Sequence, residues 1–212
     1  MVSRETLIEP EPQAAASLFG DRVDLAREFA RELAERGEEL GLIGPLEAER
    51  LWSRHILNCV LPAPLLRPGL VGDIGSGAGL PGIVLAIARP DVDFVLIEPM
   101  ERRVEWLRAE SARLGLENVR VERARAEDAA LVERLDQVTA RAVSSLSKLI
   151  PITAPLVRRG GQLLFMKGAR VEGEVSAASK QIRAARLSHV EVLVLGEGIV
   201  PEVTRVFRAT VD

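Results

Sequence analysis

The run Val71-Gly72-Asp73-Ile74-Gly75-Ser76-Gly77-Ala78-Gly79-Leu80-Pro81-Gly82 places five glycines in twelve residues, and the reading of the whole chain turns on it. It continues a β-prone apolar stretch and leads into a helical pattern over 82–89. A strand that enters a glycine-rich turn and leaves through a helix offers helix N-terminal N–H groups to a ligand. Glycine there allows positive φ and close approach of the ligand to the backbone. Two spacings coexist, Gly75-x-Gly77-x-Gly79 and Gly77-x-Gly79-x-x-Gly82, and the second matches the dinucleotide fingerprint. A nicotinamide or flavin enzyme is therefore one reading of the loop.

Two acidic residues favour a different ligand. Asp73 precedes Gly75 by two residues, where a carboxylate repels a pyrophosphate and welcomes a cation. Glu98 ends the next predicted strand, 23 residues after Gly75, in the position suited to accepting both ribose hydroxyls of an adenosine. A ligand with a sulfonium or ammonium group, an adenosine and no phosphate satisfies both ends. S-adenosylmethionine is such a ligand, with S-adenosylhomocysteine as its product, and Gly77 and Gly79 complete the loop that would hold it.

Outward from the loop, short β-rich runs alternate with helical ones. Strands are predicted at 70–74, 94–97, 119–121, 137–140 and 162–166, with helices at about 82–89, 101–114, 127–134, 145–157 and 171–186. Such alternation implies a mostly parallel sheet with helices on both faces. The tail breaks the rule: 190–195 and 203–210 are too close to enclose a crossover helix and should form an antiparallel hairpin at a sheet edge, making seven strands. Ahead of the sheet, residues 1–13 read as a loose arm. Helices are predicted from Asp21, on Val23, Ala26, Phe29, Ala30, Leu33 and Ala34, and after Pro45, on Leu46, Leu51, Ile56 and Val60. The proline-rich segment 61–69 closes this part, so that residues 1–60 form a helical cap and 61–212 the sheet domain, together one compact unit.

Composition narrows the class. The 212 residues are 47% apolar and 28% charged, as in a globular domain, with a net charge of −3 that leaves no global footprint for nucleic acid. Only three of the 28 basic residues are lysines. The single cysteine, Cys59, cannot form an internal disulfide and reads as a small buried apolar residue. No apolar run approaches the roughly 20 residues that span a bilayer, so a cytoplasmic, monomeric protein without a membrane or metal partner is expected. Trp52 and Trp106 read as core anchors.

Absent motifs limit the acceptor. Methylation of an exocyclic base amine uses an Asp/Asn-Pro-Pro-Tyr/Phe motif after the fourth strand, where this chain has Thr139-Ala140-Arg141-Ala142-Val143. Methylation at cytosine C5 needs a thiolate, and Cys59 lies outside the sheet. An acceptor with its own free lone pair, needing no general base, is favoured.

The order Arg54-His55-Ile56-Leu57-Asn58, Asp73 to Gly82, Ala140-Arg141-Ala142 and Met166-Lys167-Gly168 resembles the RsmG (GidB) family, bacterial enzymes that methylate N7 of one guanine in 16S ribosomal RNA. The resemblance spans about Leu42 to Arg205 and implies a class I S-adenosylmethionine-dependent, Rossmann-like fold with 16S rRNA or the small ribosomal subunit as partner. It implies cofactor contacts by Gly75, Leu80, Ala126, Glu127 and Arg141. Arg54, Arg141, Lys167 and Arg205 become candidates for guanine O6 or its flanking phosphates, and His55 for closing the site. Glu127 equally suits a helix start, and Arg205 a solvated hairpin. One departure is Gly41-Leu42-Ile43-Gly44, where many relatives have an Asn-Leu-Thr-type stretch.

Overall fold

The structure, a computed structural model, describes residues 9–131 and 134–212. It begins with helices α1 (Ala14–Phe19) and α2 (Val23–Arg36), linked by a 3-10 turn, Gly20–Arg22. The predicted apolar face of α2 is buried through Ala26, Phe29, Ala30, Leu33 and Ala34. Helix α1 lies between the stretch read as a loose arm and the helix predicted from Asp21, and was not predicted because its small-residue run 14–16 carries no periodic signal. The second cap helix is not continuous. A 3-10 turn (Glu47–Arg50), a π-helical turn (Leu51–Ile56) and α3 (Leu57–Val60) follow one another, entered through Leu46 in the left-handed region. Wide π turns of this kind collect at functional sites.

Seven strands form one sheet: β1 (Leu70–Ile74), β2 (Asp93–Ile97), β3 (Val119–Glu122), β4 (Leu135–Arg141), β5 (Val157–Lys167), β6 (Leu187–Leu195) and β7 (Thr204–Val211). Their order is β3-β2-β1-β4-β5-β7-β6, parallel from β3 to β5 and antiparallel for the tail hairpin. The remaining helices are α4 (Gly82–Ala88), α5 (Glu101–Arg113), α6 (Leu146–Thr153), α7 (Val171–Ala177) and α8 (Ser179–Ala184). Alternate strand residues feed two cores, as period-2 geometry requires. Phe94, Leu96, Leu164 and Val206 pack with the cap, α4 and α5, including Trp52 and Trp106. Val95, Ile97, Leu163, Phe165 and Phe207 pack with α6 and the α7–α8 region on the other face.

In the sheet domain, three further predicted elements differ from those observed. The helix over 127–134 contracts to a 3-10 turn, Ala126–Asp128, and its residues 132 and 133 lie outside the described residues. The helix over 171–186 breaks at Ala178. Strand β5 starts at Val157, five residues early, and takes up the end of the predicted helix 145–157.

The strand order reverses at β1, which lies between β2 and β4, so the crevice beyond their carboxyl ends is where such sheets bind ligands. Register sets what meets there. Ile74 pairs with Ile97 and with Ala140, which brings Gly75, Glu98 and Arg141 level one residue further on. Beneath this row, Asp73 ties β1 to the start of α4: its Oδ2 accepts the Gly82 N–H at 3.1 Å. Its Oδ1 is buried with no hydrogen-bond partner among the described residues. Burial raises the Asp73 pKa to about 7, against the favourable Gly82 N–H. Because this value lies above the unfolded 3.8, the protonated carboxyl contributes stability below pH 3.8 that is lost as pH rises through about 7. Asp73→Asn, which keeps an acceptor for Gly82 and cannot ionise, should therefore gain in melting temperature relative to the wild type between pH 5 and pH 8. Parallel thermal melts at the two pH values check this, and a constant difference would contradict it.

A candidate active site at the carboxyl ends of the strands

The glycine loop is held from the end of β2 by one backbone carbonyl and by the carboxylate that follows it. Gly75 N–H donates to the Ile97 carbonyl at 2.8 Å, and Gly77 N–H donates to Glu98 Oε2 at 3.0 Å. Trp106 braces the outer side by donating Nε1–H to the Ala78 carbonyl at 3.0 Å, so this core anchor also shapes the loop. Gly75 has φ +68°, and a Cβ there would lie 3.0 Å from Val143 Cγ2. Gly77 and Gly79 also have positive φ, and a Cβ on Gly79 would collide with Ile83.

Beside this loop is a cavity of about 420 Å³, within the ordinary range for small-molecule sites. Of the predicted cofactor residues, Gly75, Glu98, Ala126 and Glu127 line it together, with Met100, Arg103 and Val143. Glu98 is almost fully buried. Each of its oxygens accepts one backbone N–H, from Gly77 and from Met100 at 3.0 Å, which leaves further lone pairs for hydroxyl donors. Gly77, Gly79 and Leu80 shape the loop without lining the cavity, and Asp73 lies beneath it. The short turn Ala126–Asp128 supplies Ala126 and Glu127 to the cavity wall. The bare glycine cradle and the buried acceptor on β2 fit an adenosine-bearing group.

A second, larger cavity of about 980 Å³ adjoins the first, with Ala142 and Val143 common to both walls. Arg54, Arg141, Lys167 and Arg205 all line it. They arrive from the cap, β4, β5 and β7, the last two because register pairs Lys167 with Arg205. Lys167 differs from a free strand-end charge: its ammonium donates to the Ser144 carbonyl and pairs with Glu174, both at 2.7 Å, leaving the side chain only 9% exposed. The same Glu174 oxygen accepts the Leu146 N–H at 3.0 Å, so this pair fastens the segment between β4 and α6.

His55 does not line either cavity. It sits behind Arg141, whose Nη2 is 2.8 Å from His55 Nδ1, while His55 Nε2 meets the carboxylate of Glu47. Arg141 also donates to the Arg54 carbonyl at 3.2 Å and to Cys59 Sγ at 3.3 Å. Burial pushes the Cys59 thiol up, in keeping with a packing role. Arg141 thus faces the larger cavity and the cap, away from the wall shared by Ala126 and Glu127. Glu47, Glu174 and Arg103 were absent from the predicted set. No local motif marks them, since their places in the site are set by the π turn, by the seating of α7 and by the start of α5.

No described helix is long and apolar enough to cross a membrane, and no group of three or more His, Cys, Asp or Glu residues among those described could hold a metal ion. Residues 22–202 match the family described as rRNA small subunit methyltransferase G. The ribosomal RNA small subunit methyltransferase G of Clavibacter michiganensis subsp. michiganensis is 69% identical over 205 residues, which is 97% of each chain. That of Leifsonia xyli subsp. xyli is 65% identical over 204 residues, covering 96% of this chain and 98% of the relative. Among solved structures, a SAM-dependent methyltransferase from Aquifex aeolicus shares the class I, Rossmann-like fold with a TM-score of 0.56, at 19% identity over 77% of this chain and 93% of its own. The nicotinamide reading of the glycine loop is thereby set aside, and the chain belongs to the rRNA small subunit methyltransferase G family.

Proposed function

We propose that this chain transfers the methyl group of S-adenosylmethionine to N7 of a guanine in the 16S rRNA of the small ribosomal subunit, in the cytoplasm. The observation that carries the reading is the meeting of two cavities at Ala142 and Val143, one walled by Gly75 and Glu98 and the other by four cationic side chains. Bound in the first, S-adenosylmethionine supplies a methyl on a sulfonium, and the C–S electron pair stays with sulfur as the N7 lone pair forms the new bond.

The residues are required to orient, not to move protons. Guanine N7 offers its lone pair in the base plane, so no general base is assigned. Glu98 takes the ribose hydroxyls, while the Ala126 backbone and Glu127 take the adenine edge. Arg54, Arg141 and Arg205 hold guanine O6 or the adjoining phosphates, which fix register and base placement, and Arg141 also contacts the cofactor where it extends towards the larger cavity. Lys167 contributes through its hold on Ser144 and Glu174 as well as by its charge. Most of the rate then comes from holding the two reactants in line.

Small subunits from cells lacking the activity, incubated with the protein and methyl-labelled S-adenosylmethionine and digested to nucleosides, should yield label in 7-methylguanosine by mass spectrometry. Label in another nucleoside would overturn the acceptor, and no label the reaction. Gly75→Val, whose side chain enters the space held by Val143, should lose S-adenosylhomocysteine binding in calorimetry while its circular dichroism remains that of a folded chain. Arg205→Ala should keep cofactor affinity within about twofold and reduce kcat/KM for the subunit about tenfold, the loss of one charged hydrogen bond. Equal losses of both would place Arg205 in the fold instead.

A further inference from the structure

We infer that Glu47 is a positioning residue for Arg141, acting through His55, and that this relay is what the N-terminal cap contributes to the site. The inference goes beyond the proposed function and rests on it only in reading Arg141 as a residue that contacts the cofactor. An arginine guanidinium donates hydrogen bonds and never accepts them. His55 Nδ1, 2.8 Å from Arg141 Nη2, must therefore be the acceptor, which excludes a proton at that nitrogen. The one proton of the neutral ring sits on Nε2 and is donated to the Glu47 carboxylate. The imidazole is thereby locked in one tautomer, with its lone pair aimed at the arginine.

The surroundings support a neutral ring. His55 is mostly buried, and burial together with the Arg141 guanidinium lowers its pKa below the ordinary value, in spite of the opposing pull of Glu47. Arg54, the remaining charged group at hand, lowers it too. Glu47 stays ionised because its bond to His55 and the nearby Arg54 and Arg50 outweigh its own burial. Its carboxylate also lies 3.5 Å from Arg54 Nε, so both cap-side arginines of the larger cavity answer to it.

The arrangement has an electrostatic use. A carboxylate placed directly on Arg141 would orient it and also cancel its charge. Among the described residues no carboxylate pairs with Arg141, and its partners are an imidazole nitrogen, a carbonyl and a thiol sulfur. A neutral acceptor orients the guanidinium and leaves its positive charge for an anionic group in the cavity. The orienting negative charge stands one imidazole ring further back, on Glu47.

The chain has only two histidines, His55 and His189, which makes the relay directly observable. In ring-15N-histidine-labelled protein, His55, assigned with a His55→Asn control, should show a single neutral tautomer protonated at Nε2. Glu47→Ala should abolish that bias and weaken S-adenosylhomocysteine binding about tenfold in calorimetry, as expected for a misplaced charged donor. Unchanged His189 resonances report that the fold is intact. Glu47→Gln, whose amide oxygen still accepts the Nε2 proton, should restore the tautomer and bring affinity to within about threefold of the wild type. A wild-type proton on Nδ1, an unaltered affinity in Glu47→Ala, or equal losses in Glu47→Ala and Glu47→Gln would each overturn the relay. Wild-type protein that does not bind S-adenosylhomocysteine would instead overturn the cofactor assignment, and the ring spectrum would still decide whether Glu47 sets the His55 proton.

Discussion

The turn at Gly75 disfavours any side chain, and the geometry around it follows from that constraint. Its φ of +68° belongs to the left-handed region, and a Cβ there would press to 3.0 Å on Val143, from the segment after β4. Because β1 ends bare, backbone from the turn can bond to the end of β2: Gly75 N–H reaches the Ile97 carbonyl, and Gly77 N–H reaches Glu98. Those two bonds place a buried carboxylate beside an open crevice. Val143 also stands with Ala142 on the wall where the two cavities meet. A wall thin enough to be shared is what a transfer between two bound partners requires.

Charge is handled at three depths. Asp73 lies fully buried below the loop, where burial favours its protonated form and its role is to hold the start of α4. Glu98 lies at the cavity wall, supported by two backbone donors. The cations line the larger cavity, and Lys167 and Arg141 are braced there in different ways. Lys167 is tied to Glu174, so much of its charge is spent in holding the chain between β4 and α6. Arg141 is held by a neutral imidazole and keeps its charge. The overall charge of −3 hides this local basic face, since net charge reports on the whole surface and not on one wall.

Much of this was legible along the chain wherever the signal was local. The seven strands, the tail hairpin and the helical cap follow from periodicity and from glycine and proline punctuation. Helix α1 was not legible, because a run of alanines gives no amphipathic contrast, and the segment 47–60 was read as one helix because π and 3-10 windings leave no distinct residue pattern. The early start of β5 was missed because Gly160-Gly161 reads as a turn, yet the strand carries both glycines within it. Gly75, Glu98, Ala126 and Glu127 share one cavity: the glycine loop and the strand-end acid pointed to Gly75 and Glu98, and the family resemblance to Ala126 and Glu127.

By itself the sequence determined the fold class and which residue types gather at the carboxyl edge of the sheet, because each rests on spacing within a strand, a turn or a helix, and its motifs carried the resemblance to the family. Only the tertiary structure decided what those residues touch. It put Asp73 beneath the loop, bound Lys167 to Glu174 and set His55 between Glu47 and Arg141. These pairings join elements separated by many residues, such as the cap and β4, and depend on register and packing to within an ångström. Hydrogen bonds weaken steeply beyond that tolerance, so no pattern in the linear chain specifies them.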